Sequence, residues 1–215
     1  MADRVAEKRA AAEAAALRVR EGDRVGLGTG TTVAPLLPAL AARGLTNIRC
    51  VATSVATEVA ARALGIPIEP FEQLEALDIA IDGADQIDPD GWLVKGGGGA
   101  HTREKVVAAA AARFVVIASG DKMVERIRPP IPLELLSFGL PATLRRLGAA
   151  ELRHVPLSPD GGAIADYHGP VDGPAAMAAR LSATPGVIDH GLFGPDLVTD
   201  VLIARGSEIE HRTVE

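Results

Sequence analysis

One short stretch of the chain, residues 82–105, concentrates the residue types that acid–base chemistry on a small anionic molecule requires. Asp82 and Asp85 stand in the motif Asp-Gly-Ala-Asp, and Lys95 leads into four consecutive glycines. Glu104 follows those glycines after a short interval. Glycine runs lose much conformational entropy on folding, so their usual reason is a positive φ angle or a close approach to a ligand. Successive N–H groups in such a run can surround an anion, and the stretch therefore predicts an active site.

Short apolar runs are predicted to deliver these groups to the edge of a sheet. Residues 77–81 indicate a buried strand that ends at Asp82, and open α/β sheets bind ligands at the carboxyl ends of their strands. Trp92 to Val94 form a second run directly before the glycines. Thr102 is the predicted N-cap of the helix that carries Glu104. Structural roles are the alternatives, because Asp-Gly is a common turn and first-turn carboxylates stabilise helices.

A second glycine-rich turn follows an earlier predicted strand, residues 24–27. It reads Gly28-Thr29-Gly30-Thr31-Thr32 and leads into a helix, which suits the binding of one phosphate group. The dinucleotide fingerprint G-x-G-x-x-G fails in both registers, because its last position falls on Thr31 or Val33. The turn therefore predicts a phosphate monoester site over residues 29–32, and a plain strand-to-helix turn is the alternative.

Composition limits the partners and compartments that the chain can have. Its 215 residues carry a net charge of −6, which argues against nucleic-acid or anionic-membrane binding. No signal peptide is predicted, and no apolar run approaches the roughly 20 residues that span a bilayer. The single cysteine, Cys50, excludes an internal disulfide and fits a reducing cytoplasm. The five histidines are scattered, so no metal site is predicted.

Alternating strands and helices predict an α/β fold in the first part of the chain. A helix is expected from residue 2 to about 20, strands at 48–52 and 66–68, and a fully apolar strand at 114–118. This alternation indicates a parallel, doubly wound sheet with helices on its faces.

A change of pattern follows Pro129. The remaining chain predicts a β-α-β-β-α-β order, which is typical of a small antiparallel α+β unit. One of its strands is expected to contain Leu152, His154 and Val155. Residues 197–204 are apolar and β-branched, so they are expected to return to the first sheet as its last strand.

Taken together, these motifs resemble the type A ribose-5-phosphate isomerase family. The resemblance covers essentially the whole chain, and its two central motifs are specific to the family. The matching segments are residues 26–32, Thr53-Ser54, Asp82-Gly83-Ala84-Asp85, Lys95-Gly96-Gly97-Gly98, Thr102-Arg103-Glu104-Lys105, Lys122, 185–187 and 191–193.

Three departures from the family pattern leave local geometry open. Gln86 stands where the family usually has glutamate. Residues 119–122 read Ser-Gly-Asp-Lys where the family usually has Asp-x-Ser-Lys. Residues 158–162 read Ser-Pro-Asp-Gly-Gly where it usually has Thr-Asp-Asn-Gly-Asn.

The resemblance implies interconversion of D-ribose 5-phosphate and D-ribulose 5-phosphate in the pentose phosphate pathway, without a metal or a cofactor. It implies a Rossmann-like domain of residues 1–127 and 199–215. A smaller, ferredoxin-like α+β domain of residues 128–198 is inserted before the final strand and is expected at the oligomer interface. The expected assembly is a homodimer, and a tetramer is the alternative.

The resemblance also assigns the site, with a carboxylate base that works through a cis-enediolate. The expected catalytic residues are Glu104 as the base, Asp82, Asp85 and Lys95. The expected substrate-binding residues are Thr29, Gly30, Thr31, Thr32, Asp82, Gly83, Ala84, Asp85, Lys95, Gly96, Gly97, Gly98 and Lys122. The chemistry of the phosphate adds Lys8 from the first helix.

Two other functions stay open from the sequence. A non-catalytic sugar-phosphate sensor is one, although a sensor does not need a base, a lysine and aspartates together. A different sugar-phosphate isomerase or a deaminating relative is the other, because the sequence does not reveal the shape of the pocket.

Overall fold

The computed structural model describes residues 2–206 and 208–214, and the chain divides into two compact units. The larger unit comprises the residues up to Ala84, Arg103–Lys122 and the residues from Pro195 onward. The smaller unit comprises Asp85–Thr102 and Met123–Gly194.

In chain order, the strands are β1 (Arg24–Leu27), β2 (Arg49–Ala52), β3 (Ile79–Gly83), β4 (Gln86–Ile87), β5 (Leu93–Val94), β6 (Phe114–Ser119), β7 (Ile131–Leu135), β8 (Ala150–Leu152), β9 (Ala163–Tyr167), β10 (Val187–His190), β11 (Leu192–Phe193), β12 (Asp200–Arg205) and β13 (Glu208–Thr213). The helices are α1 (Ala2–Ala16), α2 (Leu36–Ala41), α3 (Val55–Ala63), α4 (His101–Ala109), α5 (Leu140–Leu147) and α6 (Pro174–Ser182). Short 3-10 helices cover Phe71–Gln73, Gly120–Lys122 and Pro195–Leu197.

A six-stranded sheet forms the centre of the larger unit, in the order β13-β12-β6-β3-β1-β2. All its pairs are parallel except β12 with β13, which is antiparallel. Every residue of β6 is buried, as its apolar run predicts for a strand covered on both faces. The core of this unit joins the sheet to small and branched side chains of α1 and α2, such as Ala12, Ala15 and Leu36. The predicted Rossmann-like, mostly parallel sheet is confirmed.

The smaller unit has the predicted β-α-β-β-α-β order, from β7 to β10. Its four strands pair antiparallel in the order β10-β7-β9-β8, the ferredoxin-like arrangement. Leu133, Leu135 and Leu181 lie in its core. A separate three-stranded sheet, β11-β5-β4, ties residues 85–102 to this unit. The predicted boundaries put residues 85–102 in the larger domain, whereas in the structure they belong to the smaller unit.

Two predicted elements of the larger unit differ from the structure. Helix α1 ends at Ala16, because the next residues make tighter i to i−3 hydrogen bonds and the Arg43 guanidinium binds the carbonyls of Ala16 and Val19. Residues 66–68 form one bridge between Cys50 and Ile68 and no strand, since a proline at position 67 has no N–H to extend the pairing.

Three further features differ from the predictions, two boundaries and one additional strand. Strand β8 ends at Leu152, so His154 and Val155 lie outside it. Strand β12 returns to the first sheet as predicted, but the polar β13 follows it at the edge. Helix α4 begins at His101, so Thr102 lies inside it and is not its N-cap. Across the described residues, no helix is long and apolar enough to cross a membrane.

Candidate active site

Within the larger unit, Asp82 is held at the first glycine turn. It lies in β3, the neighbour of β1 in the sheet, and the turn follows β1 directly. The N–H groups of Thr29 and Gly83 donate to its Oδ1 atom over 3.1 and 2.7 Å. The residue is only 3% exposed. Two backbone donors stabilise the negative charge of this buried carboxylate.

Position 28 cannot accommodate a side chain, because Asp82 occupies the space beside it. A Cβ atom at position 28 would lie 2.0 Å from both Cγ and Oδ1 of Asp82. The N–H of Gly28 donates to the carbonyl of Ile81 over 3.0 Å, and its own carbonyl accepts from Thr57 Oγ1 over 2.9 Å. The glycine is therefore needed for the close approach of the turn to β3.

Hydroxyl groups surround the rest of this turn. Thr29 Oγ1 lies 2.7 Å from the Oγ1 atom of Thr53, which belongs to the segment that leads into α3. Lys8 Nζ donates to Thr31 Oγ1 over 2.8 Å, so the lysine from α1 reaches the turn. Gly30 has a φ of +101° and is exposed, and Thr31 is exposed beside it. The turn presents hydroxyls, backbone and one ammonium group together.

Glu104 and Lys122 belong to the same unit. Glu104 lies in the first turn of α4 and is 5% exposed. Further along α4, Val107 packs against β1 at Gly26, where a Cβ atom would lie 2.4 Å from Val107 Cγ1. Lys122 ends the 3-10 helix after β6, and β6 pairs with the strand that carries Asp82. Lys122 therefore follows the carboxyl end of a strand, as its sequence position predicts.

In the smaller unit, Asp85 is bound to the second glycine segment. The N–H of Gly97 donates to Asp85 Oδ2 over 2.8 Å, and the N–H of Asp85 donates to the carbonyl of Val94 over 2.7 Å. Asp85 is exposed, whereas Asp82 in the same motif is buried. The two aspartates therefore work in different environments.

Lys95 is 3% exposed, although lysine is almost never fully buried unless it is paired. Its N–H donates to the carbonyl of Gly191 over 2.8 Å, and its Nζ lies 5.5 Å from the centre of the Phe193 ring, in cation–π range. The next residue, Gly96, has a φ of +100°. A Cβ atom on Gly96 would lie 2.6 Å from Nδ1 of His101, so only glycine fits there.

An arginine that the sequence analysis missed holds the carbonyl side of this segment. Arg153 Nη1 donates to the carbonyls of Gly96 and Gly97 over 2.9 and 3.0 Å. Asp166 accepts from Nε and Nη2 of Arg153 over 2.7 and 2.6 Å. No motif marks either residue, because they lie more than fifty positions from the glycines and isolated charges usually lie at the surface.

A second missed residue is Glu134 in β7, which is 2% exposed. Its carboxylate accepts hydrogen bonds from the hydroxyls of Thr102 and Ser158. A Cβ atom at Gly162 would lie 2.2 Å from Glu134 Oε1, which explains the glycine at this departure from the family pattern. Thr102 thus contacts this carboxylate at the start of α4, where the sequence predicts a cap.

The other two departures also have local explanations. Gln86 Nε2 donates to the carbonyl of Arg128 over 2.7 Å, and Gln86 Oε1 accepts from the Arg128 N–H over 2.9 Å. A glutamate carboxylate could not donate the first of these bonds. Ser119 Oγ donates to Asp121 Oδ1 over 2.5 Å, which lowers the pKa of Asp121.

The predicted site residues fall into two sets, one in each unit. In the larger unit they are Lys8, Thr29, Gly30, Thr31, Thr32, Asp82, Gly83, Ala84, Glu104 and Lys122. In the smaller unit they are Asp85, Lys95, Gly96, Gly97 and Gly98. The part of the chain that the structure describes has no group of three or more His, Cys, Asp or Glu suited to a metal ion. Burial raises the pKa of the Cys50 thiol to about 12, so it stays protonated and is a poor nucleophile.

Comparison with known proteins gives a consistent result. The family model described as ribose 5-phosphate isomerase A (phosphoriboisomerase A) matches residues 49–208. The chain is 46% identical over 202 residues to ribose-5-phosphate isomerase A of Roseiflexus castenholzii, with 86% of each chain covered. It is 43% identical over 212 residues to the Caulobacter vibrioides protein of the same name, which covers 92% of this chain and 93% of the relative.

Solved structures agree with the sequence relatives. Ribose 5-phosphate isomerase A from Neisseria gonorrhoeae superposes with a TM-score of 0.93 at 31% identity, covering 99% of this chain and 98% of the other. A D-ribose-5-phosphate isomerase in complex with phospho-erythronic acid superposes with a TM-score of 0.91 at 31% identity, covering 97% and 98%.

Proposed function

The chain belongs to the ribose 5-phosphate isomerase A family, and we propose that Glu104 is the base of its isomerisation. Members of this family interconvert ribose 5-phosphate and ribulose 5-phosphate in the pentose phosphate pathway, so the protein is an isomerase. The proposal concerns how the residues of this chain divide that work.

The reaction moves a proton from C2 of the aldose to C1 through a cis-enediolate, and it needs one base that takes and returns the proton. A carboxylate screened from water is suited to this task, because removal of solvent strengthens its affinity for a proton. Glu104 is 5% exposed and stands in the family motif. The burial of this carboxylate is the observation that carries the proposal.

The enediolate oxygens acquire negative charge, which needs donors already aimed at them. We assign this role to the ammonium of Lys95 and to the N–H groups of Gly96 and Gly98, because the Gly97 N–H already binds Asp85. Lys95 is 3% exposed, so its charge is little screened by water. The positive φ of Gly96 supports the assignment, because glycine adopts this conformation without a steric cost and so lets the backbone approach a ligand closely.

Asp82 is proposed to open the sugar ring or to carry the proton between O1 and O2, and Asp85 to orient the substrate. The N–H donors from Thr29 and Gly83 support the role of Asp82, because they hold one carboxylate oxygen in place. Asp85 is bound to the Gly97 N–H, which places it at the glycine segment that is proposed to bind the developing charge.

The substrate phosphate is proposed to bind at residues 29–32, with Lys8 and Lys122 as its cations. The hydrogen bond from Lys8 to Thr31 supports this arrangement, because it brings an ammonium group to the hydroxyls of the turn. Binding energy from the phosphate, remote from C1 and C2, would help to position the reacting carbons.

The decisive experiment compares Glu104→Gln with Glu58→Gln. Both glutamates lie in the first turn of a helix, but the Glu58 side chain is 42% exposed and pairs with Arg62. Glu104→Gln should lower kcat by about 1,000-fold, since a positioned base contributes about 10²–10⁴. Formation of ribulose 5-phosphate is measured with and without EDTA, and Glu58→Gln should keep wild-type turnover. Substantial activity in a folded Glu104→Gln protein would falsify the assignment.

We further propose that the protein acts in the cytoplasm as a homodimer, with the smaller unit at the interface. Large apolar side chains on this unit support the proposal: Phe138 is 87% exposed, Leu157 58% and Leu136 48%. Light scattering coupled to size-exclusion chromatography tests it, and Phe138→Asp should shift a dimer toward the monomer. A monomeric wild-type protein at micromolar concentration would contradict the proposal.

A further inference from the structure

We propose that Arg153 is a positioning residue for the reaction, and that with Asp166 it fixes the direction of the Gly98 N–H and of the Gly97 N–H that holds Asp85. This inference rests on the proposed function, because the Gly98 N–H is among the donors proposed to bind the developing charge and Asp85 is proposed to orient the substrate. It gives the small α+β unit a part in the chemistry beyond its proposed place at the interface.

The geometry of the peptide bond carries the first step. Arg153 Nη1 binds the carbonyl oxygens of both Gly96 and Gly97. Each carbonyl shares a planar trans peptide with the N–H of the following residue, and the two groups point in opposite directions. An arginine that holds the two carbonyls therefore turns the N–H groups of Gly97 and Gly98 to the other side of the segment.

Asp85 supplies independent evidence for that direction. It accepts the Gly97 N–H over 2.8 Å, so it lies on the side of this peptide away from Arg153. One peptide group thus stands between the guanidinium at its carbonyl and the carboxylate at its N–H. Hydrogen bonds in such a chain polarise one another, so the arginine also makes the N–H a stronger donor.

Asp166 orients the arginine. The ion pair is bidentate, with distances of 2.6 and 2.7 Å, and both side chains are 18% exposed. Asp166 lies in the middle of the small sheet, in β9, and Arg153 directly follows the neighbouring strand β8. The Nε and Nη2 atoms of Arg153 donate to Asp166, so Nη1 donates to the glycine carbonyls. Lysine cannot replace this planar fork, because it has a single ammonium group.

Glycines need such an external support more than other residues do, because their backbone has the widest choice of conformations. A cavity of about 530 Å³ also adjoins residues 97–99, Arg153 and Asp166, so the segment is not packed on all sides. Without the arginine, the Gly96–Gly97 peptide would keep its hydrogen bonds to Asp85 and to the Gly99 N–H, whereas the Gly97–Gly98 peptide would lose the partner of its carbonyl.

The first kinetic test replaces both members of the ion pair, because Arg153→Gln alone would leave Asp166 without its partner. A second variant, Arg153→Lys, is compared with it. The paired change Arg153→Gln with Asp166→Asn removes both charges, and Arg153→Lys keeps the positive charge without the fork. In the paired variant, kcat should fall by about 10- to 100-fold, the effect of misplacing catalytic groups by about 1 Å. KM should change little, because the donors act mainly on charge that develops in the transition state. Arg153→Lys should recover only part of the loss.

Chemical rescue separates positioning from a general structural role. The cavity beside Arg153 gives methylguanidinium access to the space that Arg153→Ala leaves. Added methylguanidinium should raise kcat of Arg153→Ala several-fold and leave the wild type unaffected. The matched control is Arg24→Gln with Asp78→Asn, another bidentate pair, which lies at the start of β1, at the end of the sheet opposite the glycine turn. This control should keep wild-type kcat.

The outcomes are distinct. A folded paired variant with kcat and KM within about twofold of wild type would overturn the positioning role. So would a loss of activity that follows the loss of thermal stability and shows no rescue. Glu104→Gln is measured in the same assay. If it is inactive while the Arg153 variants are normal, only this inference fails; if it is active, the proposed base is wrong.

Discussion

The two glycine-rich segments of the chain are held in place by different kinds of neighbouring groups. The first, residues 28–32, packs against a single buried side chain, Asp82, and is surrounded by threonine hydroxyls. The second, residues 96–99, lies between charged groups, with Asp85 at an N–H and Arg153 at two carbonyls. One buried carboxylate and neutral hydroxyls support the first segment, whereas a carboxylate on one side and a guanidinium on the other support the second.

The glycines themselves differ in the same way. Gly28 has no positive φ, and only the space that Asp82 takes requires a glycine there. Gly96 has a φ of +100° and also lies against His101. One glycine is therefore required by a neighbour, and the other by its own backbone as well. This difference predicts which substitutions can be compensated.

Among substitutions in the two glycine-rich segments, Gly28→Ala is expected to lower turnover most. The new methyl group would overlap the Asp82 carboxylate, which must then leave its hydrogen bonds to Thr29 and Gly83. We expect kcat to fall by about 100-fold or more and the free energy of unfolding to fall by about 1–3 kcal/mol. Steady-state kinetics and urea denaturation measure the two effects.

A double variant tests whether the overlap with Asp82 causes the loss of stability. Adding Asp82→Gly to Gly28→Ala should lower stability by less than the sum of the single changes, because the overlapping group is gone, while activity stays lost. Gly30→Ala is a control for backbone strain alone, since its Cβ atom would meet nothing within 4 Å although φ is +101°. It should lower stability by about 1–3 kcal/mol. Additive stabilities in the Gly28–Asp82 cycle would contradict the proposed clash.

Gly96→Ala is expected to act mainly on stability. Alanine would be strained at this φ and would also overlap His101, so we expect a loss of about 1–3 kcal/mol from the backbone plus a steric loss. Unlike Gly28→Ala, this variant should not be restored by shortening its neighbour with His101→Gly. Urea denaturation of the single and double variants measures this. Recovery of wild-type stability in the double variant would mean that space alone selects the glycine.

The smallest effect concerns a charged pair outside both glycine segments. The Arg24 side chain and N–H bind Asp78 and lower the pKa of its carboxyl from 3.8 to about 2. A lowered pKa stabilises the fold above about pH 4, and this contribution is lost as the pH falls from 4 toward 2. The Asp78 side chain is 40% exposed, so solvent screening limits the contribution to less than about 1 kcal/mol.

Urea denaturation of wild type and Asp78→Asn at several pH values measures this contribution. The wild type should be slightly more stable at pH 7, and the difference should shrink below about pH 4 and vanish only below about pH 2. A difference that stays constant over this range would show that the carboxylate charge contributes nothing.

Much of the fold followed from local patterns. The apolar run before Ser119 became the buried β6, and the order of strands and helices after Pro129 became the antiparallel small sheet. Patterns failed where long-range contacts decided the outcome. Residues 66–68 look like a strand but make one bridge, and the polar β13 forms because β12 offers it an edge.

The candidate residues followed from the sequence because their types and spacing are unusual, above all the four glycines after Lys95. Their supports did not, because Arg153, Asp166 and Glu134 carry no local signal and come from strands far along the chain.

By itself, the sequence determined the family, the two kinds of sheet and the residues that carry the proposed chemistry. Only the tertiary structure decided which side chains hold those residues in place, and that Thr102 meets a buried carboxylate although its position predicts a cap. The physical reason is that a helix or strand pattern reports on neighbours a few residues apart. Hydrogen-bond partners such as Arg153 and the glycine carbonyls become neighbours only when the sheet assembles.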